Sequence, residues 1–163
     1  MIIYQMTILT MKKYKHIILY AIGIFSIAFL SSYKLTKSAL VYSLTVKVEE
    51  LRNSKGLVQF ALYNKEGSIP DEKYKTFYRK MTGEIIKGSS TVTFNNLPEG
   101  KYAVNILHDE NTNGKIDKGL ILPKEGIGFS NYQSIGLTNR PTFSKASFKL
   151  ESNLKIRVHV IYM

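Results

Sequence analysis

The chain has 163 residues, with 23 Lys and Arg against 12 Asp and Glu, so its formal net charge at neutral pH is +11. This length suits one domain, and the 44% share of apolar residues excludes a disordered chain. Because the sequence has no Cys, it excludes disulfides, thiolate zinc sites, iron–sulfur clusters and cysteine nucleophiles.

The first 43 residues have the composition of a leader. They hold five basic residues and no acidic one, and an apolar run of 14 residues, Ile17 to Leu30, follows the basic stretch Met11–His16. This order is typical of a secretory signal peptide. The small-residue segments at which we expect cleavage are Leu30-Ser31-Ser32 and Val41-Tyr42-Ser43.

An uncleaved membrane anchor is the alternative to a signal peptide. The uncharged stretch Ile17–Tyr33 has 17 residues, the lower limit for a spanning helix. Both interpretations predict an exported protein of the periplasm or cell envelope. Residues 1–43 are then the signal peptide or anchor, residues 44–163 are a single domain, and only an uncleaved leader contacts the membrane.

The charge of the predicted domain points away from nucleic acid. Residues 44–163 hold 18 Lys and Arg against 12 Asp and Glu, a net charge of +6, and the basic residues are scattered. The densest group, Lys73–Lys80, alternates with aromatic residues, which is also the pattern of a solvated face with its aromatic rings turned inward. We therefore expect an envelope ligand or protein as the partner.

Residues 44–163 have the pattern of an all-β domain. Leu44–Glu49 alternates apolar and polar residues, as half-buried strands do. Short strands with frequent turns predict an antiparallel β-sandwich, immunoglobulin-like or transthyretin-like, with about seven or eight strands after an N-terminal hydrophobic leader helix. The other predicted strands are Leu57–Tyr63, Thr91–Phe94, Lys101–His108, Ala146–Leu150 and Leu154–Tyr162, whereas Tyr74–Met81 fits a helix or a strand.

Turn signals complete this prediction. Asn95–Gly100 contains Pro and Gly and predicts a tight turn, residues 109–142 are predicted to be loop, and the last two strands are predicted to pair as a hairpin. The apolar faces of two strands should lie in the core, with these residues buried: Tyr102, Val104, Ile106, Ile156, Val158 and Val160.

The segment Asp109–Asp117, called the acidic loop below, has the spacing of a calcium-binding loop. Side-chain oxygens occur at loop positions one, three, five and nine, Gly114 occupies position six, and Lys115 at position seven offers its carbonyl. The predicted ligands are therefore Asp109, Asn111, Asn113, Lys115 and Asp117. Position twelve, where calcium loops carry an acid, is Leu120, so any Ca²⁺ site should be weak.

Two other interpretations of this region remain open. Asp and Asn side chains that bond nearby backbone N–H groups would give the same composition without a metal. A hydrolytic or carbohydrate-active accessory domain would instead use paired carboxyls beside the aromatic residues Phe129 and Tyr132, the carboxyls being Asp109, Glu110, Asp117 and Glu125. No catalytic motif supports an enzyme, and His108, on an apolar strand face, is expected to be structural.

Several motifs in a fixed order resemble an uncharacterised bacterial family, domain of unknown function 2141. The resemblance extends from about Leu44 to Tyr162 and is carried by Asn96–Val104, His108–Asp117, Pro123–Asn131 and the stretch Pro141-x-Phe143-x-x-Ala146. It implies a small exported protein, in most members with a signal peptide, and no established activity. The turn before Tyr102 also resembles a hairpin of transthyretin-like and carboxypeptidase-regulatory-like sandwiches, an analogy of fold alone.

Overall fold

The computed structural model describes residues 14–15, 40–119, 123–136 and 138–163. The predicted leader helix, the anchor stretch and the first predicted cleavage segment lie outside the described residues. Within the described part, no helix has both the length and the apolar character needed to cross a membrane.

The chain from Leu40 onward is built of strands, which confirms the predicted β-sandwich. A single short helix, α1 (Phe143–Ala146), is described in this part of the chain. The eight strands are β1 (Val41–Val48), β2 (Leu57–Tyr63), β3 (Arg79–Gly83), β4 (Ser90–Pro98), β5 (Gly100–Asp109), β6 (Gly126–Phe129), β7 (Phe148–Leu150) and β8 (Leu154–Val158).

The strands form two sheets. Sheet A has three strands in the order β4-β1-β8, and sheet B has the order β3-β2-β5-β6, with β7 also paired to β5. All of these pairs are antiparallel except that of β1 with β8, which is parallel.

The main core, called the inner core, lies between the two sheets. Alternate residues of each strand face it, as the period of two of a β-strand requires. Sheet A contributes Leu44, Val46, Val48, Val92, Phe94, Leu97 and Val158, and sheet B contributes Val58, Phe60, Leu62, Tyr102, Val104, Ile106 and Leu150. Five of the six residues predicted to be buried are buried, and Ile156 is partly buried against this core.

One predicted connection is wrong. The last two strands do not pair as a hairpin: β7 pairs with β5 in sheet B, whereas β8 runs parallel to β1 in sheet A. The predicted turn at Asn95–Gly100 is shorter than expected, because β4 continues to Pro98 and β5, in the other sheet, begins at Gly100. The Tyr102 hydroxyl donates to the Pro98 carbonyl at 2.9 Å and closes this corner.

Sheet B is also covered on its other face, which the alternation in β5 did not predict. Ala103, Asn105 and Leu107 point away from sheet A and are nevertheless buried. The loops after β2, β5 and β6 cover this face and form a second core, the outer core, whose buried members are Ala61, Tyr63, Ile69, Tyr74, Ala103, Leu107, Ile127, Phe129, Tyr132, Phe143 and Ala146. Strand β6, in the segment predicted to be loop, is part of its base.

Candidate functional site

The sequence Gly126-Ile127-Gly128-Phe129 forms β6 because its two glycines face one side and its two apolar residues face the other. A Cβ at Gly128 would collide with the His159 carbonyl, and one at Gly126 would collide with the Tyr162 ring. The glycines therefore let the C-terminal segment cross against β6, where Ile161 pairs with Ile127. The two apolar side chains point the opposite way, into the outer core.

Ser130 fastens the end of β6 to two neighbouring elements. Its Oγ accepts a hydrogen bond from Val104 N at 2.9 Å and donates to the Ala146 carbonyl at 2.7 Å. Ser130 is only 2% exposed, so both bonds are made away from solvent and strengthen the base of the outer core.

A cleft of about 380 Å³ opens on the outer face of sheet B. Asn105, Ile127 and Phe129 form its floor, and Ile116 and Ile135 are on its walls. Asn105 and Phe129 are direct partners across β5 and β6, so the floor is part of the sheet itself. The volume lies at the lower end of the range typical of small-molecule sites, about 300–1,000 Å³.

The acidic loop leaves β5 beside this cleft and is organised by Asp109. This carboxylate is 1% exposed and accepts three hydrogen bonds. The donors are Asn113 N at 3.1 Å, Gly114 N at 2.8 Å and the side-chain amide of Gln59 at 2.9 Å. Gly114 has a φ of 76°, a conformation that a residue with a Cβ adopts at a cost.

The other predicted ligands converge on Asp117, but through nitrogen. The side-chain amides of Asn111 and Asn113 donate to the Asp117 carboxylate at 2.5–3.1 Å. Their oxygens face the opposite way, since Asn111 Oδ1 accepts from Asn113 N and Asn113 Oδ1 accepts from Lys115 N. The loop is thus satisfied internally, as the metal-free interpretation expects.

Glu125 closes the acidic loop from its far end. Its two carboxylate oxygens accept hydrogen bonds from Glu110 N at 3.0 Å and Asp117 N at 3.1 Å. Burial raises the pKa of the Glu125 carboxyl; these two N–H donors oppose the shift, and the charges of Asp109 and Asp117 add to it. Glu125 thus serves the loop as a hydrogen-bond acceptor for two backbone N–H groups.

Tyr74 presents a buried polar atom with no partner near these carboxyls. Its side chain lies in the outer core, 6% exposed, and its hydroxyl makes no hydrogen bond to another described residue. Burial raises the pKa of the Tyr74 hydroxyl, and the charges of Asp71, Asp109 and Glu125 raise it further. A buried hydroxyl without a protein partner is a place where an ordered water molecule is expected.

The structure thus brings four of the five predicted calcium ligands together, whereas the Lys115 carbonyl makes no hydrogen bond to another described residue. Among the described residues, no group of three His, Asp or Glu side chains is close enough to hold a metal ion. Calcium binding at the acidic loop remains a prediction from the sequence.

The four carboxyls of the hydrolytic alternative do not meet in the cleft. Asp109, Asp117 and Glu125 hold the acidic loop together, as described above. Glu110 points away and pairs with Arg52 and Asn53. Burial alone would raise the pKa of Glu110, but the Asn53 and Arg52 contacts outweigh it and lower the pKa. Of the two predicted aromatic residues, Phe129 is on the cleft floor and Tyr132 is buried beside it.

His108 is structural, as predicted. It is fully buried; its Nε2 lies 3.0 Å from the Lys55 carbonyl, and its Nδ1 lies 2.7 Å from the Tyr162 hydroxyl. A carbonyl only accepts, so Nε2 carries the proton. The Tyr162 oxygen accepts from Arg52 N at 3.1 Å and shares a hydrogen bond with His108 Nδ1. Both nitrogens of the buried imidazole are thereby paired.

Two cleft residues, Asn105 and Arg140, were missed by the sequence reasoning. Asn105 interrupts the apolar run of β5 at a position that alternation assigns to solvent, so only the covering loops reveal that it is buried. Arg140 lies in the segment predicted to be loop, and its side chain lines the cleft. The signal in the sequence that could have indicated the cleft floor is an Asn within a strand that pairs with a Gly-x-Gly-Phe strand.

A family profile matches residues 46–157 and has the description "Uncharacterized protein conserved in bacteria (DUF2141)". The match spans well over half of the chain, which therefore belongs to this family. No curated protein and no solved structure matches the chain significantly.

Proposed function

We propose that this member of an uncharacterised bacterial family is an exported, non-enzymatic binding module of the cell envelope, with its ligand site in the cleft on the outer face of sheet B. The observation that carries the proposal is the cleft itself: a concave, mostly apolar site with a few polar side chains, the usual character of a small-molecule site.

The floor of the cleft supports this proposal because it is rigid. Asn105 and Phe129 are paired within sheet B, and the strand that carries Asn105 is buried on both faces. Ser130 and the C-terminal segment fix β6 from behind. A pre-formed site loses little conformational entropy when a ligand binds, so modest contacts suffice for affinity.

Export is supported by the leader sequence. The basic stretch and the apolar run Ile17–Leu30 precede the described domain. Strand β1 begins at Val41, and Val41 and Tyr42 pair with Pro98 and Leu97. Cleavage after Ser43 would remove these pairs, so we expect cleavage near Leu30-Ser31-Ser32 or an intact anchor. The mass of the protein recovered from the envelope fraction distinguishes these outcomes, and an intact chain soluble in the cytoplasm would overturn export.

Binding in the cleft can be tested with a single tryptophan, because the chain has none of its own. Ile135→Trp adds one at the cleft wall, and Ile86→Trp, at a position 67% exposed and outside the cleft, is the matched control. The neutral dye phenylnaphthylamine is titrated into both variants of the full chain. We expect saturable energy transfer to the dye from the first variant alone. Equal, non-saturating transfer in both variants would overturn the proposed site.

A hydrolase in this cleft would need carboxyls other than the four named in the sequence analysis, because none of those four lines it. The carboxyl residues on its lining are Asp71 and Glu72. Asp71 accepts hydrogen bonds from its own loop, and Glu72 pairs with Lys118. If the cleft were hydrolytic, the wild-type protein would hydrolyse an aryl glycoside, and Asp71→Asn and Glu72→Gln would each abolish that hydrolysis. We expect no hydrolysis above background from the wild type.

A second candidate keeps Ca²⁺ at the acidic loop. One observation favours it: the side chains of Asn111, Asn113 and Asp117 already converge. Both Asn side chains must turn their oxygens towards Asp117, which breaks their bonds to Asn113 N and Lys115 N. That cost predicts a weak site, in the range of about 10⁻⁴–10⁻³ M typical of extracellular modules.

The calcium candidate is tested by thermal unfolding of the full chain in millimolar CaCl₂. At about ten times Kd, binding to the native state alone should add about 1.4 kcal/mol, and Mg²⁺ should add less. Asp117→Asn should remove the effect. It is a better variant than a change at Asp109, whose carboxylate already accepts three hydrogen bonds. Equal melting temperatures with and without Ca²⁺ in the unmutated protein would exclude the site.

A further inference from the structure

The charged side chains that line the cleft differ in whether their charge is already compensated. Asp71 accepts hydrogen bonds from Lys75 N at 3.0 Å, Thr76 N at 2.8 Å and the Tyr63 hydroxyl at 3.3 Å. Burial alone would raise the pKa of Asp71, but these three donors outweigh it and lower the pKa. These neutral donors stabilise the ionised carboxylate without cancelling its charge, so Asp71 remains an anion on the cleft lining.

Glu72 and Lys118 compensate each other. Lys118 Nζ lies 2.5 Å from Glu72 Oε2, which links the loop after β2 to the loop after β5 at the rim of the cleft. Both side chains are well exposed, so the pair contributes little stability and leaves no net charge at this side of the rim.

Arg140 is the basic residue of the cleft that has no ionic partner among the described residues. All 12 Asp and Glu side chains of the chain belong to the described residues, and none of them pairs with Arg140. A guanidinium at the edge of an apolar cleft offers a planar set of donors suited to a carboxylate, sulfonate or phosphate group.

The backbone that carries Arg140 is held in place. The Tyr132 hydroxyl donates to the Arg140 carbonyl at 3.1 Å and accepts from Thr142 N at 3.1 Å. Pro141 follows Arg140 and restricts its backbone. Tyr132 is itself buried in the outer core, so the position of the Arg140 backbone relative to the cleft floor is fixed by packing.

Asn105 supplies a second polar group, at the floor. It is 3% exposed, and its side-chain amide donates to the Gly128 carbonyl at 3.1 Å. That bond orients Oδ1 as the free end of the amide, and no hydrogen bond between described residues uses it. This acceptor beside Ile127 and Phe129 is therefore available to a donor group of a ligand in the cleft.

We propose that the cleft binds small amphipathic anions. The apolar body of the ligand lies on Ile127 and Phe129, its anionic group pairs with Arg140, and a hydroxyl or amide N–H of the ligand, where it has one, donates to Asn105. This inference rests on the proposed function, since it names the class of ligand for the same cleft. The shared chemistry covers a free fatty acid and an aromatic acid alike.

Two dyes that differ by one charged group provide the test. Anilinonaphthalene sulfonate and phenylnaphthylamine share the same aromatic skeleton, and only the first carries a sulfonate. Arg140 is exposed, so in the full chain we expect the anionic dye to bind about two- to fivefold tighter, the size of an ion pair at an exposed guanidinium. Arg140→Gln should bring the two affinities close together. Arg157→Gln, on an arginine that pairs with Glu49 outside the cleft, is the matched control and should change neither.

Displacement of the bound dye by ligands that lack its aromatic rings tests the ligand class separately. Decanoate should displace the anionic dye from the wild type, and decanol should do so about two- to fivefold less well. If an aromatic acid such as naphthoate displaces the dye as well as decanoate does, the site accepts anions with either an aliphatic or an aromatic body. If both dyes bind equally and Arg140→Gln changes neither, the ligand class is wrong while the cleft stands. If neither dye receives energy from Ile135→Trp, the proposed function itself fails.

Discussion

The two faces of sheet B are built from the same strands and differ in almost every other respect. The face towards sheet A is apolar at each buried position of β2 from Val58 to Leu62, and a second sheet covers it. The opposite face carries Gln59, Asn105 and Asp109 among its apolar residues, and loops cover it. Along β2 the inner face is packed with apolar side chains alone, whereas the outer face combines packing with buried polar groups.

The polar residues of the outer face are held by hydrogen bonds rather than by packing. Gln59 donates to Asp109, Asp109 holds the acidic loop, and Asn105 donates to Gly128. A buried polar group without such a partner would cost about 1–3 kcal/mol. These hydrogen bonds therefore fix the geometry of the outer face, and each of its buried residues contributes less net stability than a buried residue of the inner face.

The inner face should be the more sensitive to a buried charge. Val104→Asp places an unpaired carboxylate between the sheets, where Val104 is fully buried, and should cost several kcal/mol, enough to unfold a typical domain. Circular dichroism during thermal unfolding measures this loss. Lys101→Asp, at an exposed position of the same strand, is the control and should retain a cooperative transition. A melting temperature of Val104→Asp equal to that of the control would contradict the assigned facing of β5.

The seam between β6 and the C-terminal segment should be the next most sensitive. Gly128→Ala directs a methyl group at the His159 carbonyl, and relief requires the segment to move, at a cost of about 1–3 kcal/mol. Gly136→Ala is the matched control, because a Cβ there meets no atom within 4 Å. Chemical denaturation of both variants gives the difference. Equal stability would show that the C-terminal segment does not cross against Gly128.

The inner face was largely predictable from sequence, because the alternation of apolar and polar residues along a strand shows which side chains face the core. Leu57–Tyr63 was predicted with its observed bounds, and Val104 and Ile106 were assigned to the core. The pairing partners of the strands were harder to predict from the sequence. Nothing local distinguishes a hairpin of β7 and β8 from two strands that join different sheets, since partner choice depends on contacts distant in sequence.

The outer face was poorly predictable for a different reason. The acidic loop was recognised by composition, but whether Asn111 and Asn113 turn oxygen or nitrogen towards Asp117 depends on neighbours that spacing does not encode. Arg140 could not be found, because an arginine in a loop is usually solvated, and its role depends on a floor that forms 35 residues earlier at Asn105.

A smaller effect is expected from Tyr162→Phe, which tests the polar cluster at the end of the inner face. The change removes the hydroxyl that is hydrogen-bonded to His108 Nδ1 and accepts from Arg52 N, so a fully buried imidazole nitrogen loses its partner. We expect a loss of about 1–3 kcal/mol in the free energy of unfolding. Tyr78→Phe, on a tyrosine 39% exposed, should be nearly neutral. Similar losses in both variants would mean that His108 does not depend on this hydroxyl.

The smallest effect, and the sharpest contrast on the outer face, is the pH dependence of two glutamates joined by one hydrogen bond. The pKa of Glu110 is lowered below its ordinary value of 4.5, because Asn53 and Arg52 outweigh the effect of burial. Its contribution to stability is therefore present above pH 4.5 and lost as the pH falls through the folded-state pKa. The pKa of Glu125 is raised above 4.5, chiefly by burial, so the ionised form is penalised in the folded state. That penalty is absent in acid and develops as the pH rises from 4.5 through the folded-state pKa.

The test compares melting temperatures as wild type minus variant. For Glu110→Gln this difference should fall on acidification, whereas for Glu125→Gln it should rise. Glu125→Gln also replaces one of two accepting carboxylate oxygens with an NH₂ group, which adds a loss of stability that does not depend on pH. Differential scanning calorimetry from acidic to neutral pH measures both differences, and parallel curves for the two variants would contradict the opposite environments assigned to these carboxyls.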